Sequence, residues 1–215
     1  MMNTLVNIPR TTPGSRGERE LQERYGTRPR AEAFYNKQML SYLNPQMCAF
    51  IARQEMFFLA TSDAQGDCDV SFRAGEVGFV HALGGKILVY PEYRGNGVMA
   101  SLANITENPH AGLLFVDFIQ DKVGLHVNGA ARILSNEEVL ACPDLADTLR
   151  ADIAAVGGRR PERWVLVTVE EAYIHCSKHI PRLEKVGEEV RQWGTDDVRA
   201  KGGDYFQAKS APRSL

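Results

Sequence analysis

The chain has 215 residues, 44% of them hydrophobic and 24% charged, and 25 Lys and Arg against 27 Asp and Glu leave a net charge of −2. That composition suits one globular core and gives no electrostatic case for nucleic acid. No apolar run approaches the roughly eighteen residues a membrane helix needs, and the opening MMNTLVNIPRTTPGSRGE lacks the basic-then-apolar order of a secretory signal, so a cytoplasmic protein is expected.

Residues 1–16, rich in Thr, Pro, Gly and Arg, predict a flexible arm. Residues 17–25 have charged helical character. Pro29 opens a second helix to about Leu43, and Asn44-Pro45 separates it from a third over about 45–54. The period then changes. MFFLATS at 56–62 reads as a buried strand, residues 63–67 as a hairpin connection, and 68–73 as the return strand. Residues 78–83 and 86–90 form a second hairpin around Gly84-Gly85. Residues 96–108 have helical spacing, with Val98, Leu102 and Ile105 on one side. Residues 111–118 and 123–134 make a longer, more apolar strand pair. Ser135-Asn136-Glu137-Glu138 starts a helical stretch to about 156, interrupted at Pro143. WVLVTVEEAYIHC at 164–176 is a last long strand, 183–193 a last helix, and 201–215 a loose tail.

The pattern predicts a mainly β fold with flanking helices, in which six or seven antiparallel strands build a barrel rather than a doubly wound sheet. One domain is expected over 17–200: N-terminal helices (17–54), a barrel core (56–134), a helical insertion (135–157) and a closing strand plus helix (163–193). Cys48, Cys68, Cys142 and Cys176 are scattered without a CxxC pair, as in reduced intracellular proteins. A P-loop, a GxGxxG fingerprint and HExxH are absent, which argues against nucleotide hydrolysis, Rossmann dinucleotide binding and metalloprotease chemistry. His175, Cys176 and His179 have a spacing that suits two metal ligands, but no second Cys/His cluster accompanies them. Cys176 has no partner constellation for nucleophilic work. Phe57, Phe58, Phe72, Phe79, Phe115 and Phe118 read as barrel core or subunit interface.

The segment from Asp69 to Phe118 carries the functional signal. It places polar groups where strands end and a helix begins, as a cradle for a phosphorylated planar cofactor would. The runs Asp69-Val70-Ser71-Phe72-Arg73, Gly78-Phe79-Val80, Tyr90-Pro91-Glu92-Tyr93-Arg94-Gly95-Asn96, Ser101-Leu102-Ala103-Asn104-Ile105, Glu107-Asn108-Pro109 and Leu113-Leu114-Phe115 carry a resemblance, with Val127-Asn128-Gly129-Ala130-Ala131 and His175-Cys176-Ser177-Lys178 after them. In this order and spacing they resemble the pyridoxamine 5′-phosphate oxidase-like family of FMN-binding split barrels, in its flavin-nucleotide-binding branch.

The resemblance implies an FMN-dependent oxidoreductase acting on a small substrate through the flavin itself, with no catalytic side chain and no metal. It implies a homodimer with FMN between subunits, the strands at 111–118 and 123–134 supplying the interface. Alternatives are a non-catalytic flavin carrier or sensor, and a split barrel holding haem or a deazaflavin. The cofactor-binding residues it implies are Val70, Ser71 and Arg73 on one strand, Tyr90 and Pro91 at the end of another, Arg94 and Asn96 in the following loop, Asn104 on the helix, and Lys178 and Arg182 late in the chain. Asn96 is expected to cap the helix, and Asn104 to bond either the cofactor or a neighbouring strand. Two departures stand out. Gly95-Asn96-Gly97 occupies the place of the oxidase's Ser-Arg-Lys cations, and Arg182-Leu183 precedes Trp193, reversing the oxidase's Trp-then-Arg-Leu order in its substrate segment.

Overall fold

A computed structural model of the chain describes residues 13–187 and 191–212. They fall into two compact units, one ending at Leu40 and one beginning at Ser41. Most of the expected N-terminal arm lies outside the described residues.

The first unit holds α1 (Arg16–Arg24) and α2 (Arg28–Gln38). Ser15 caps α1 through a capping box with Glu18, which ties the orphan N–H groups of the first turn. Pro29 opens α2, where its missing N–H costs nothing.

The second unit begins with α3 (Pro45–Ile51), capped by Asn44, whose side chain accepts from the Met47 N–H at 2.9 Å. Seven strands follow: β1 (Met56–Ser62), β2 (Cys68–Ala74), β3 (His81–Leu83), β4 (Ile87–Glu92), β5 (His110–Asp117), β6 (Val123–Leu134) and β7 (Arg163–His175). The helix α4 (Ala100–Glu107) interrupts the strands after β4, and α5 (Asn136–Leu140) and α6 (Pro143–Ile153) separate β6 from β7. All neighbours are antiparallel, in the order β2-β1-β5-β6-β7-β4-β3. The sheet is a split barrel, curled but not closed, with β2 and β3 at its edges.

Short turns set the registers. Gly84 and Gly85, both at positive φ, open the three-residue β3–β4 turn completed by Lys86, where most other side chains would be strained. The Asp63 carboxylate accepts from the Gln65 and Asp67 N–H groups, each at 2.9 Å, and shapes the β1–β2 turn.

Two cores share β7. Val165, Val167 and Val169 face the barrel interior with Phe57, Phe79, Tyr90 and Phe115. Trp164 and Leu166 face outward against Val139 of α5 and Leu145, Leu149 and Ile153 of α6. A bulge between Asn128 and Gly129 shifts the β6–β7 register where this cover ends. Beyond it the outer face carries large side chains, of which Phe58 and Phe72 are 37% and 56% exposed. One row across it runs Phe72, Phe58, Leu114, His126, Tyr173, each the register partner of the next.

Of the expected helix at 183–193, the described residues 183–187 and 191–193 are not helical. Residues 180–187 and 191–192 are extended or irregular, because Arg182 and Leu183 bond back to the β5–β6 turn and not to their own helical neighbours.

Candidate functional site

Alternation along β2 is the first determinant of the site. Asp69, Ser71 and Arg73 share one face, while Val70 and Phe72 turn to the other and are 68% and 56% exposed. On the inward side, Asp69 Oδ2 accepts from Ser71 Oγ at 2.8 Å and from the buried Ser101 Oγ of α4 at 2.9 Å. This three-residue knot fixes the start of α4 over β2.

The end of β4 is the second determinant. Its last residue, Glu92, receives a hydrogen bond from Arg73 Nε at 2.8 Å, and both side chains are mostly buried. Burial drives the Glu92 carboxyl above the ordinary range, against the pull of Arg73 and then Arg163. Tyr90, two residues earlier, is fully buried, and its hydroxyl has no hydrogen-bond partner among the described residues. Burial and then the Glu92 charge push its pKa upward.

Between β4 and α4 the chain runs Tyr93 to Met99. Gly97 and Met99 both have positive φ, 85° and 58°, so the helix begins only at Ala100. Asn96 therefore does not cap α4. Its Oδ1 accepts from the Val98 N–H at 3.0 Å and closes a local turn, which corrects the expected cap and the expected helix start.

The third wall comes from far along the chain. Residues 191–201 form a strap across the loop. Arg191 bonds the Gly75 carbonyl and Glu55 Oε2, the latter at 2.6 Å. Trp193 packs edge-to-face on Tyr93 with ring centres 4.8 Å apart. Gly194 crosses Gly158 backbone to backbone. A methyl on Gly158 would lie 2.3 Å from the Trp193 carbonyl carbon, and one on Gly194 would lie 2.7 Å from the Gly158 Cα, so the crossing needs glycine on both sides. Arg94 reaches Asp196 Oδ2 at 2.7 Å.

Together these pieces enclose a cleft of about 1020 Å³. Serines and acids line its floor, Phe72, Val98, Met99 and Leu102 supply apolar surface, and Arg73, Arg94, Arg163, Arg191 and Lys201 supply cations. No His or Cys is among the lining residues.

Of the ten residues singled out from sequence, Ser71, Arg73, Pro91, Arg94 and Asn96 line this cleft. Tyr90 is in the core beneath it. Val70 belongs to the opposite face of β2 and is not among the residues that line the cleft, although Phe72, on that same face, is. Asn104 donates from Nδ2 to Thr61 Oγ1 at 3.1 Å, so it fastens α4 to β1. Lys178 lies in the turn Ser177–His179 after β7. Arg182 bonds the Ile119 and Gln120 carbonyls, each at 3.4 Å. The thirteen residues of β7 separate both from the cleft within one chain, by up to roughly 40 Å at about 3.3 Å per residue.

Sequence reasoning missed Asp69, Ser101, Glu92, Arg163 and the strap residues Arg191, Trp193, Asp196 and Lys201. The alternation of β2 was the available signal for Asp69. A tryptophan between glycines and charges at 191–194 was the signal for the strap.

Residues 43–176 match the family model described as pyridoxamine 5′-phosphate oxidase. No curated protein matches the chain. Solved structures similar to it include HupZ from Group A Streptococcus, with 17% identity over 66% of this chain and 100% of that one at a TM-score of 0.46. A putative pyridoxamine 5′-phosphate oxidase from Lactobacillus delbrueckii has 19% identity over 63% and 98% at 0.45. HutZ, the haem storage protein of Vibrio cholerae, has 15% over 62% and 94% at 0.43.

Proposed function

We infer that this chain, which belongs to the pyridoxamine 5′-phosphate oxidase family, binds FMN in the cleft between β2, the β4–α4 loop and the strap, and uses it for electron transfer with a small substrate. The observation that carries the reading is the composition of that one cleft. It joins an apolar rim for a ring, hydroxyl and carboxylate groups for a polyol chain, and cations for a phosphate, in a volume suited to a cofactor.

Phe72, Val98 and Met99 would hold the ring face. Ser71 and Asp69 would meet the polar chain, and Arg73 of β2 and Arg94 of the loop are candidates for the phosphate. The flavin, when bound, supplies the redox chemistry. The chain's own work is to orient it and to keep water from one side of it. Glu92, held by Arg73, is an acid–base group in the cleft with a raised pKa and can hold a proton there.

We further propose that two copies pair through the row Phe72, Phe58, Leu114, His126 and Tyr173, whose Phe58 and Phe72 end is exposed, with the cleft at the margin of the interface. Phe72 belongs to both the row and the cleft lining. That pairing would also offer a partner's Lys178 and Arg182 a route to the cleft. Four free cysteines fit a reducing, cytoplasmic setting. No helix among the described residues is long and apolar enough to cross a membrane.

The test is the absorption spectrum of the purified chain, alone and after titration with FMN, a deazaflavin or haem. FMN binding with flavin bands supports the reading, and bleaching by NADH or NADPH with reoxidation in air supports catalysis over a passive carrier. A chain that ignores FMN and develops a Soret band with haem refutes it.

A further inference from the structure

Five cations line the cleft, and they are not equivalent. Arg73 is committed to the mostly buried Glu92. Arg191 is fastened to Glu55 and the Gly75 carbonyl. Arg163 meets Glu162 at 3.7 Å and Met99 Sδ at 3.7 Å. Arg94 and Lys201 instead share one acid. Asp196 places Oδ2 2.7 Å from Arg94 and Oδ1 3.3 Å from Lys201, so a single carboxylate spans both.

The strap that carries Asp196 is anchored at its root and exposed at its end. Arg191, the Trp193–Tyr93 contact and the Gly158–Gly194 crossing fix the root. From Asp196 to Lys201 every residue is exposed. The three charged side chains are 55%, 66% and 46% exposed for Arg94, Asp196 and Lys201. Exposed ion pairs of this kind contribute little and are screened by salt. The Lys201 hydrogen bond, then Arg94, holds the Asp196 carboxyl below its usual range, so it is an anion at any ordinary pH.

We propose that Asp196 occupies the place of a ligand's anionic group between Arg94 and Lys201, and that a phosphate monoester displaces it. The proposal rests on the flavin reading and assigns, within it, the phosphate to Arg94 and Lys201, not to Arg73. A phosphate brings up to two charges and three acceptor oxygens where the carboxylate brings one charge and two oxygens, so the exchange favours the ligand. An uncharged ligand of the same shape gains nothing from it. The device therefore selects phosphorylated over dephosphorylated forms of one molecule.

The experiment titrates FMN and riboflavin, which differ by the phosphate, into the full chain, Asp196→Asn and Arg94→Ala, and follows flavin fluorescence. Asp196→Asn is expected to tighten FMN about threefold, and Arg94→Ala to weaken it about tenfold or more. Riboflavin is expected to be indifferent to both. FMN binding that is unchanged or weaker in Asp196→Asn overturns the proposal and leaves the flavin reading standing, and so does an equal effect on riboflavin. Should the parent chain bind neither flavin, the flavin reading fails and pyrophosphate decides. A saturable Trp193 fluorescence change, tighter in Asp196→Asn and lost in Arg94→Ala, supports the exchange with another phosphorylated ligand, and no response overturns it.

Discussion

Replacing Arg73 by Met tests how the floor of the cleft is held together. Arg73 Nε lies 2.8 Å from Glu92 Oε1, and the two side chains are 21% and 12% exposed. Breaking a fully buried pair from one side costs about 3–5 kcal/mol, because the other charge is stranded, whereas an exposed pair is worth about 1 kcal/mol or less. With roughly four-fifths of the Arg73 side chain and nearly nine-tenths of the Glu92 side chain withdrawn from water, the expected loss at pH 7 is about 2–3 kcal/mol. Urea unfolding followed by tryptophan fluorescence reads it, since Trp164 and Trp193 both belong to the unit that holds the pair. The midpoint falls by about 1 M for a slope of about 2 kcal/mol per M.

The pH dependence follows from the same geometry. Burial already raises the Glu92 carboxyl, and Arg73 is the largest influence pulling it back. Without Arg73 its folded-state pKa rises further above the unfolded value. The penalty is then absent below the unfolded carboxyl pKa and complete once the pH passes the folded one, so the deficit of Arg73→Met shrinks on acidification. Removing both charges in Arg73→Met/Glu92→Gln restores most of the stability. A loss under about 0.5 kcal/mol, a deficit that does not change with pH, or a double variant no better than the single one would refute the reasoning.

Three further outcomes are expected. Tyr90→Phe removes a buried hydroxyl that has no partner among the described residues and should stabilise the free chain by about 1 kcal/mol; a lower urea midpoint would show that the hydroxyl is satisfied. His126 donates to or accepts from His175 Nδ1 at 2.9 Å, stacks on Tyr173, and has its pKa lowered by burial and then by His175. Its contribution is complete above the unfolded histidine pKa and is lost as pH falls through the folded one, so stability should decline below about pH 6.5, and His126→Gln should flatten that decline in denaturation curves at several pH values. Phe58→Glu places a charge at the exposed end of the outer row and should convert a dimer to a monomer in sedimentation velocity; a parent chain that is already monomeric contradicts the pairing.

Much of the fold was legible because the strands announce themselves. β1 and β6 have the bounds that their apolar runs predict, and Pro143 marks the break between α5 and α6. The start of α4 was not, because Asn96 resembles a cap in sequence while the positive φ of Gly97 and Met99 delays the helix to Ala100. In the site, local parity was readable and long-range pairing was not. Strand alternation puts Ser71 and Arg73 on the face opposite Val70 and Phe72, but it does not by itself settle the lining, since Phe72 also borders the cleft. Nothing local joins Arg73 to Glu92, which meet only because the sheet curls β2 toward the end of β4. Nor does anything local join Arg94 to Asp196, whose pairing depends on two glycines letting the strap cross. Lys178 and Arg182 look close to the site in the family pattern, yet the length of β7 carries them away from it.

FMN occupancy of this cleft is the central claim. Ala100, exposed at the first turn of α4 and part of the cleft lining, gives the direct test: calorimetric titration of FMN into the full chain and into Ala100→Trp. The account predicts one FMN per parent chain and loss of binding when the indole fills the cleft. No binding by the parent, or equal affinity in the two proteins, would contradict it.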